Sequence, residues 1–110
     1  METKIYISGP ITGLPYEEAR AAFMNAENAI RSRYSALVEI VNPIRLVPKN
    51  TSWNDAMRTC IAAMMDCNYI HTLPGFEQSE GARLEYTIAL KLGFGVCDNQ
   101  LNLVAYGKQQ

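Results

Sequence analysis

Apolar and polar residues change their period several times along the chain. Over residues 4–8, Ile5 and Ile7 point one way and Tyr6 and Ser8 the other, which predicts a strand. Ala19, Phe23, Ala26 and Ile30 then recur at helical spacing and predict a helix over 15–33. Pro15 suits the first turn of that helix, and Glu17 and Glu18 suit its positive end. Residues 38–41 read as a second strand, ended by Asn42-Pro43, and 44–51 as irregular. Ser52-Trp53-Asn54-Asp55 has the form of a capping box with Asp in place of Glu. Met57, Cys60, Ile61, Met64 and Cys67 carry the helix it opens to about residue 66. The run 69–73 is a third strand, stopped by Pro74-Gly75. Leu84, Ile88 and Leu92 make an apolar stripe that predicts a helix over 79–92, closed by Gly93 as a C-cap. Residues 94–97 form a short fourth strand and Asp98-Asn99 a turn. Residues 101–106 make a fifth strand or an arm, and the last three residues fray.

Strands alternating with helices of this length mean βαβ units, a mostly parallel sheet and right-handed crossovers. The whole chain, 1–110, is expected to be one domain. The loops 8–15 and 74–79 follow different strands but should open on the same sheet edge. Ligands of open α/β sheets bind in the crevice beyond that edge.

Composition narrows the class. With 110 residues and 48 % apolar side chains, the chain can bury a modest core and is not disordered. A net charge of −1 without runs of like charge argues against a nucleic-acid polymer or an anionic membrane as the main partner. No apolar run approaches the ~20 residues that span a bilayer. The start, Met1-Glu2-Thr3-Lys4, lacks the basic segment and apolar run of a signal peptide. Cys60, Cys67 and Cys97 are odd in number and show no CxxC spacing, so buried thiols in a cytoplasmic protein are expected, not disulfides or a zinc site.

The candidate chemistry gathers around residues 79–85. Glu85 lies in the second turn of its helix, with small neighbours, Gly81 and Ala89, one turn away on each side. That leaves room for a ligand beside a carboxylate of limited solvation. Such a carboxylate can attack an anomeric carbon or stabilise an oxocarbenium ion. The alternative is a solvated helix glutamate. Ser79 can cap the helix, or donate to an anion beside the free N–H groups of the helix start. Tyr6 can hold a carboxylate across the crevice, or simply pack. The loop after the first strand, Gly9-Pro10-Ile11-Thr12-Gly13, is neither a Walker loop nor a GxGxxG fingerprint. It is an ordinary turn or a cradle of backbone N–H groups. His71, the only histidine, has no Cys/His/Asp partners in sequence and receives no role. Trp53 can stack on a base or meet a second subunit.

Read together, Ile5-Tyr6-Ile7-Ser8-Gly9-Pro10-Ile11-Thr12-Gly13, Val41-Asn42-Pro43, Met57-Arg58, Leu73-Pro74-Gly75-Phe76-Glu77 and Ser79-x-Gly81-Ala82-x-x-Glu85 occur in an order that resembles the nucleoside 2-deoxyribosyltransferase-like superfamily. The nearest likeness is to its small branch from bacteria and phages, related to the 2′-deoxynucleoside 5′-monophosphate N-glycosidases. The resemblance covers roughly residues 4–97. It implies a flavodoxin-like doubly wound fold with a parallel five-stranded sheet and helices on both faces. It implies that Glu85 is the nucleophile, that Tyr6 positions it, and that Ser8, Gly9, Pro10, Ile11 and Gly13 belong to the loop holding base and sugar. Ser79, with Gly81 and Ala82 behind it, falls where the monophosphate glycosidases meet the 5′-phosphate. The activity implied is cleavage or transfer of an N-glycosidic bond, without metal or organic cofactor, in a homodimer or higher oligomer. Two positions depart from the pattern: Cys60 and Asn68 stand where the superfamily usually carries Asp. A thiol is a poor general acid, so a nucleotide-binding protein without turnover is the competing expectation. An adaptor domain is a third.

Overall fold

The computed structural model describes residues 2–105. Five strands form one sheet in the order β2-β1-β3-β4-β5: β1 Thr3–Ser8, β2 Val38–Val41, β3 Tyr69–Thr72, β4 Gly95–Cys97 and β5 Leu103–Val104. The first four are parallel, and β5 pairs antiparallel with β4. Four helices accompany them: α1 Tyr16–Tyr34, α2 Pro43–Leu46, α3 Trp53–Met64 and α4 Glu80–Lys91. This is a flavodoxin-like, doubly wound α/β fold.

The two-residue period of β1 divides the core in two. Ile5 and Ile7 pack with Phe23 and Ile30 of α1, and Val38 of β2. Tyr6 and Ile70 face the other way, onto Cys60 and Met64 of α3 and Ala89 of α4. Helices therefore cover both faces. The chain leaves β1 toward β2 on one side and later returns as β3 on the other, so the switch point lies between the carboxyl ends of β1 and β3.

Three features differ from the sequence expectations. The fifth strand is not parallel. The Asp98 carboxylate accepts from the N–H groups of Gln100 (3.0 Å) and Asn102 (2.9 Å), which turns the chain back at once and leaves no length for a crossover. The expected continuation of this strand to Tyr106, and the expected fraying beyond, lie outside the described residues.

Second, residues 43–46 are helical. Asn42 is the N-cap, its Oδ1 accepting from Ile44 N at 3.0 Å, with Pro43 in the first turn. Asn42 Nδ2 donates to Glu27 Oε1 (2.9 Å), and Arg45 grips both oxygens of that carboxylate at 2.9 and 3.1 Å. Thus α1 anchors α2 and the segment that follows.

Third, the Leu84/Ile88/Leu92 stripe of α4 is not its core face: Ile88 is partly buried against the core, and the other two are exposed. Leu84 is 41 % and Leu92 60 % exposed, whereas Gly81, Ala82, Glu85 and Ala89 are buried. The helix sits so close to β1 and α3 that only small residues and one glutamate fit beneath it. A carbon added at Gly81 would lie 2.9 Å from Met57 Sδ.

The ends of α4 are well fixed. Ser79 Oγ accepts from Ala82 N at 3.2 Å. At the other end Phe94 N bonds Ala89 O (2.9 Å) and Gly93 N bonds Leu90 O (3.1 Å), the paired arrangement of a Schellman motif. Ser52 caps α3 through Asp55 N at 3.2 Å. The reciprocal half of the expected capping box is not among the bonds, and Asp55 turns to Arg58 instead.

Gly9 marks a close approach at the carboxyl edge of the sheet. A side chain there would meet Leu73 Cβ and Cδ1 at 2.8 Å, and Leu73 N is tied to Ser8 O at 2.8 Å. Leu73 Cβ moves only with its backbone. Gly9→Ala is therefore expected to lower stability by about 1–3 kcal/mol, measured by urea unfolding.

Candidate functional site

A cleft opens at the switch point, with about 760 Å³ of empty space including its mouth. Its floor is Tyr6 of β1 and Glu85 of α4. One wall is the Gly9–Ile11–Thr12 loop with Tyr16 and Phe23 of α1. A second is the start of α4, from Ser79 through Gly81 and Ala82. The third runs from Pro43 through Thr51 into α3, with Trp53, Ala56, Met57 and Cys60.

Glu85 is 5 % exposed, although glutamate on a helix is usually solvated. Two neighbours on the same face of β1 hold it. Tyr6 Oη donates to Oε2 at 2.8 Å, and Ser8 Oγ donates to Oε1 at 2.7 Å. The period of two in the strand places both hydroxyls under one carboxylate. Both carboxylate oxygens accept, which is the pattern of the ionised form. Burial pushes the Glu85 carboxyl above its ordinary value, against the two hydroxyls, which favour ionisation. Tyr6 is raised well above the usual phenol range by burial, with the Glu85 charge adding to it. Cys60 lies beside the Tyr6 hydroxyl, and burial pushes its thiol up to about 11, so it is neutral at physiological pH.

The expected site residues take different places. Tyr6, Gly9, Ile11, Ser79, Gly81, Ala82 and Glu85 line the cleft. Ser8 is fully buried behind Glu85 and holds it from below. Pro10 and Gly13 do not line the cleft. Pro10 stands by the turn at Gly75, and Gly13 takes the left-handed position of the turn 11–14, where Leu14 N bonds Ile11 O. Asn68 is remote from the cleft. Its Oδ1 accepts from Lys4 N (2.8 Å) and its Nδ2 donates to Glu2 O (2.9 Å), bracketing the amino ends of β1 and β3. Parallel strands put their amino ends opposite the ligand edge, which is why this position cannot serve the site.

Sequence reasoning missed the third wall. Residues 44–51 read as irregular and drew no role, yet Ile44, Val47, Lys49 and Thr51 line the cleft. The signal was present in Asn42-Pro43, an N-cap followed by a first-turn proline. His71 lies on the opposite face of the sheet, its Nδ1 2.8 Å from Cys97 O. The three cysteines are free and buried. Among the described residues, no group of three His, Cys, Asp or Glu could hold a metal, and no helix is long and apolar enough to cross a membrane.

The fold and site define a flavodoxin-like α/β protein with a buried, doubly hydrogen-bonded carboxylate under a cleft at its switch point. Over residues 3–98 the chain matches the family described as domain of unknown function DUF4406, and it belongs to that family. No curated protein and no solved structure matches it.

Proposed function

We propose that this protein cleaves or exchanges the N-glycosidic bond of a 2′-deoxynucleoside, taken as its 5′-monophosphate. The observation that carries this reading is Glu85, buried at the cleft floor and oriented by Tyr6 and Ser8. A carboxylate built this way is a nucleophile held ready, not a surface charge. The resemblance to the nucleoside 2-deoxyribosyltransferase-like superfamily adds the substrate class. One Glu85 oxygen attacks C1′, the C1′–N bond breaks, and its electron pair leaves with the base, which takes a proton. Water or a second base then attacks C1′ and frees Glu85. The Ser79 hydroxyl accepts from Ala82 N and keeps its own proton to donate to a phosphate at the α4 start.

The departing base needs a proton, and among the described residues no carboxylic acid besides Glu85 lines the cleft. Cys60 holds its proton too tightly to be an efficient donor. Slow turnover follows. The same observation favours the second reading, a nucleotide-binding protein without turnover. Chromatography of deoxynucleosides and their 5′-monophosphates, incubated with and without a free second base, decides between them. Base release supports the enzyme. Intact ligand with thermal stabilisation supports the binding protein.

Cys60→Asp tests the missing acid. The new carboxyl would sit beside Tyr6 and near the Glu85 charge, which raises its pKa and keeps it protonated for donation. Base release is expected to rise by about tenfold or more. Asn68→Asp, at the far end of the sheet, is expected to leave the rate unchanged.

A further inference from the structure

Among the described residues the cleft has one formal positive charge, and it stands on the segment the sequence left without a role. Lys49 lines the cleft wall between α2 and α3, and the other lining side chain of formal charge is Glu85 on the floor. No described carboxylate pairs with Lys49; Arg20, Arg83 and Lys91 are also without an ion pair, but they do not line the cleft. Its ammonium lies 5.4 Å from the centroid of the Tyr16 ring, and Tyr16 itself lines the cleft.

The backbone beneath Lys49 is fixed. Thr51 N bonds Pro48 O at 3.2 Å, and Thr51 Oγ1 donates to the same carbonyl at 2.6 Å. Asn50 takes the left-handed position with φ 73°. This tight turn is joined to α2, which Glu27 clamps to α1 through Asn42 and Arg45. A long cationic side chain is thus carried by an ordered turn, rests on a ring of the cleft, and has no internal counter-ion.

An anion entering the cleft meets the repulsion of Glu85 unless its charge is held elsewhere. We infer that Lys49 is the specificity-determining residue of the cleft, adding its charge to the Ser79 hydroxyl in binding the phosphate of a nucleoside monophosphate and selecting it over the uncharged nucleoside. The inference rests on the proposed function for the ligand class, and it adds a recognition residue outside the resemblance. Thr12, Asn50 and Thr51 line the same cleft and supply uncharged polar groups.

The test is calorimetric binding of the four common 2′-deoxynucleoside 5′-monophosphates, their nucleosides and inorganic phosphate to the native chain, Lys49→Gln and Lys49→Arg. Lys49 is exposed, so both variants are expected to fold, checked by circular dichroism. Lys49→Gln is expected to weaken monophosphate binding about tenfold and nucleoside binding by less than about twofold. Lys49→Arg keeps most of the preference. Added salt should erode that preference in the native chain and change little in Lys49→Gln. Equal losses for both ligand classes, no loss, or no binding of any ligand overturns the inference. Base release is read separately. Lys49-dependent binding of monophosphates that stay intact sustains this inference and defeats the glycosidic one. Glu85-dependent base release indifferent to Lys49 and to phosphate does the reverse.

Discussion

Glu85→Gln is expected to abolish base release while leaving the chain folded. The amide has the size of the carboxyl and keeps one oxygen to accept from Ser8 or Tyr6, but it has no charge with which to attack C1′. Loss of a nucleophile held in a built site lowers turnover on the order of 10⁴-fold or more. Initial rates by chromatography measure this, and a variant retaining more than a small fraction of native activity would remove Glu85 from the mechanism. The same substitution has an opposite effect on stability. The folded Glu85 carboxyl is raised above its unfolded value, chiefly by burial. Such a group binds its proton more tightly in the folded chain. The native chain therefore loses stability relative to Glu85→Gln as pH rises from the ordinary carboxylate range through the raised folded value, and the difference is flat beyond it. Glu27, lowered by its hydrogen bonds to Arg45, tilts both proteins the other way and cancels in the comparison. Urea unfolding of the pair from about pH 4 to about pH 8 reads the difference directly.

Removing the hydroxyls instead of the carboxylate should move the pH profile. In Tyr6→Phe or Ser8→Ala one donor to Glu85 remains. In the double variant, neither of the two side-chain donors that hold the buried carboxylate in the native chain is left. A buried charge stripped of its partners takes up a proton before it tolerates the loss. The acid limb of the rate profile is expected to shift upward in the order native, single, double. The double variant is expected to lose activity on the order of 10²-fold at neutral pH and to recover part of it as pH is raised. A rate lost equally at every pH would mean that the hydroxyls act on the substrate and not through Glu85.

Much of this arrangement could be read from residues alone. The alternation in β1, the 3.6-residue pattern of α1 and the serines before α3 and α4 stand where the elements form, because each is a local effect acting within one turn or one strand. That the loops after β1 and β3 open on one sheet edge followed from reading both strands as parallel members of βαβ units. The face of α4 was misread because hydrophobicity is a poor guide where a helix approaches too closely for large side chains. Gly81, Ala82 and Ala89 carry little apolar signal, and Glu85 carries the wrong sign. The two roles of Ser8 and Tyr6 converge on one atom group only in three dimensions, 77 and 79 residues from their partner. The wall at 44–51 announces its helical start in Asn42-Pro43, but its place beside the cleft is set by Glu27 of α1, which nothing nearby in sequence marks as a partner.

The acid and the two hydroxyls that hold it belong to β1 and α4, packed into one half of the core. Lys49 belongs to a surface turn fastened from outside that core. A lineage can therefore lengthen, shorten or recharge the turn without disturbing the carboxylate. Relatives with the same Tyr-x-Ser and Ser-x-Gly-x-x-x-Glu frames can inherit one buried carboxylate and still part company over what they admit to it. Comparing the rim while holding the floor constant is the natural way to sort such chains into groups of shared ligand.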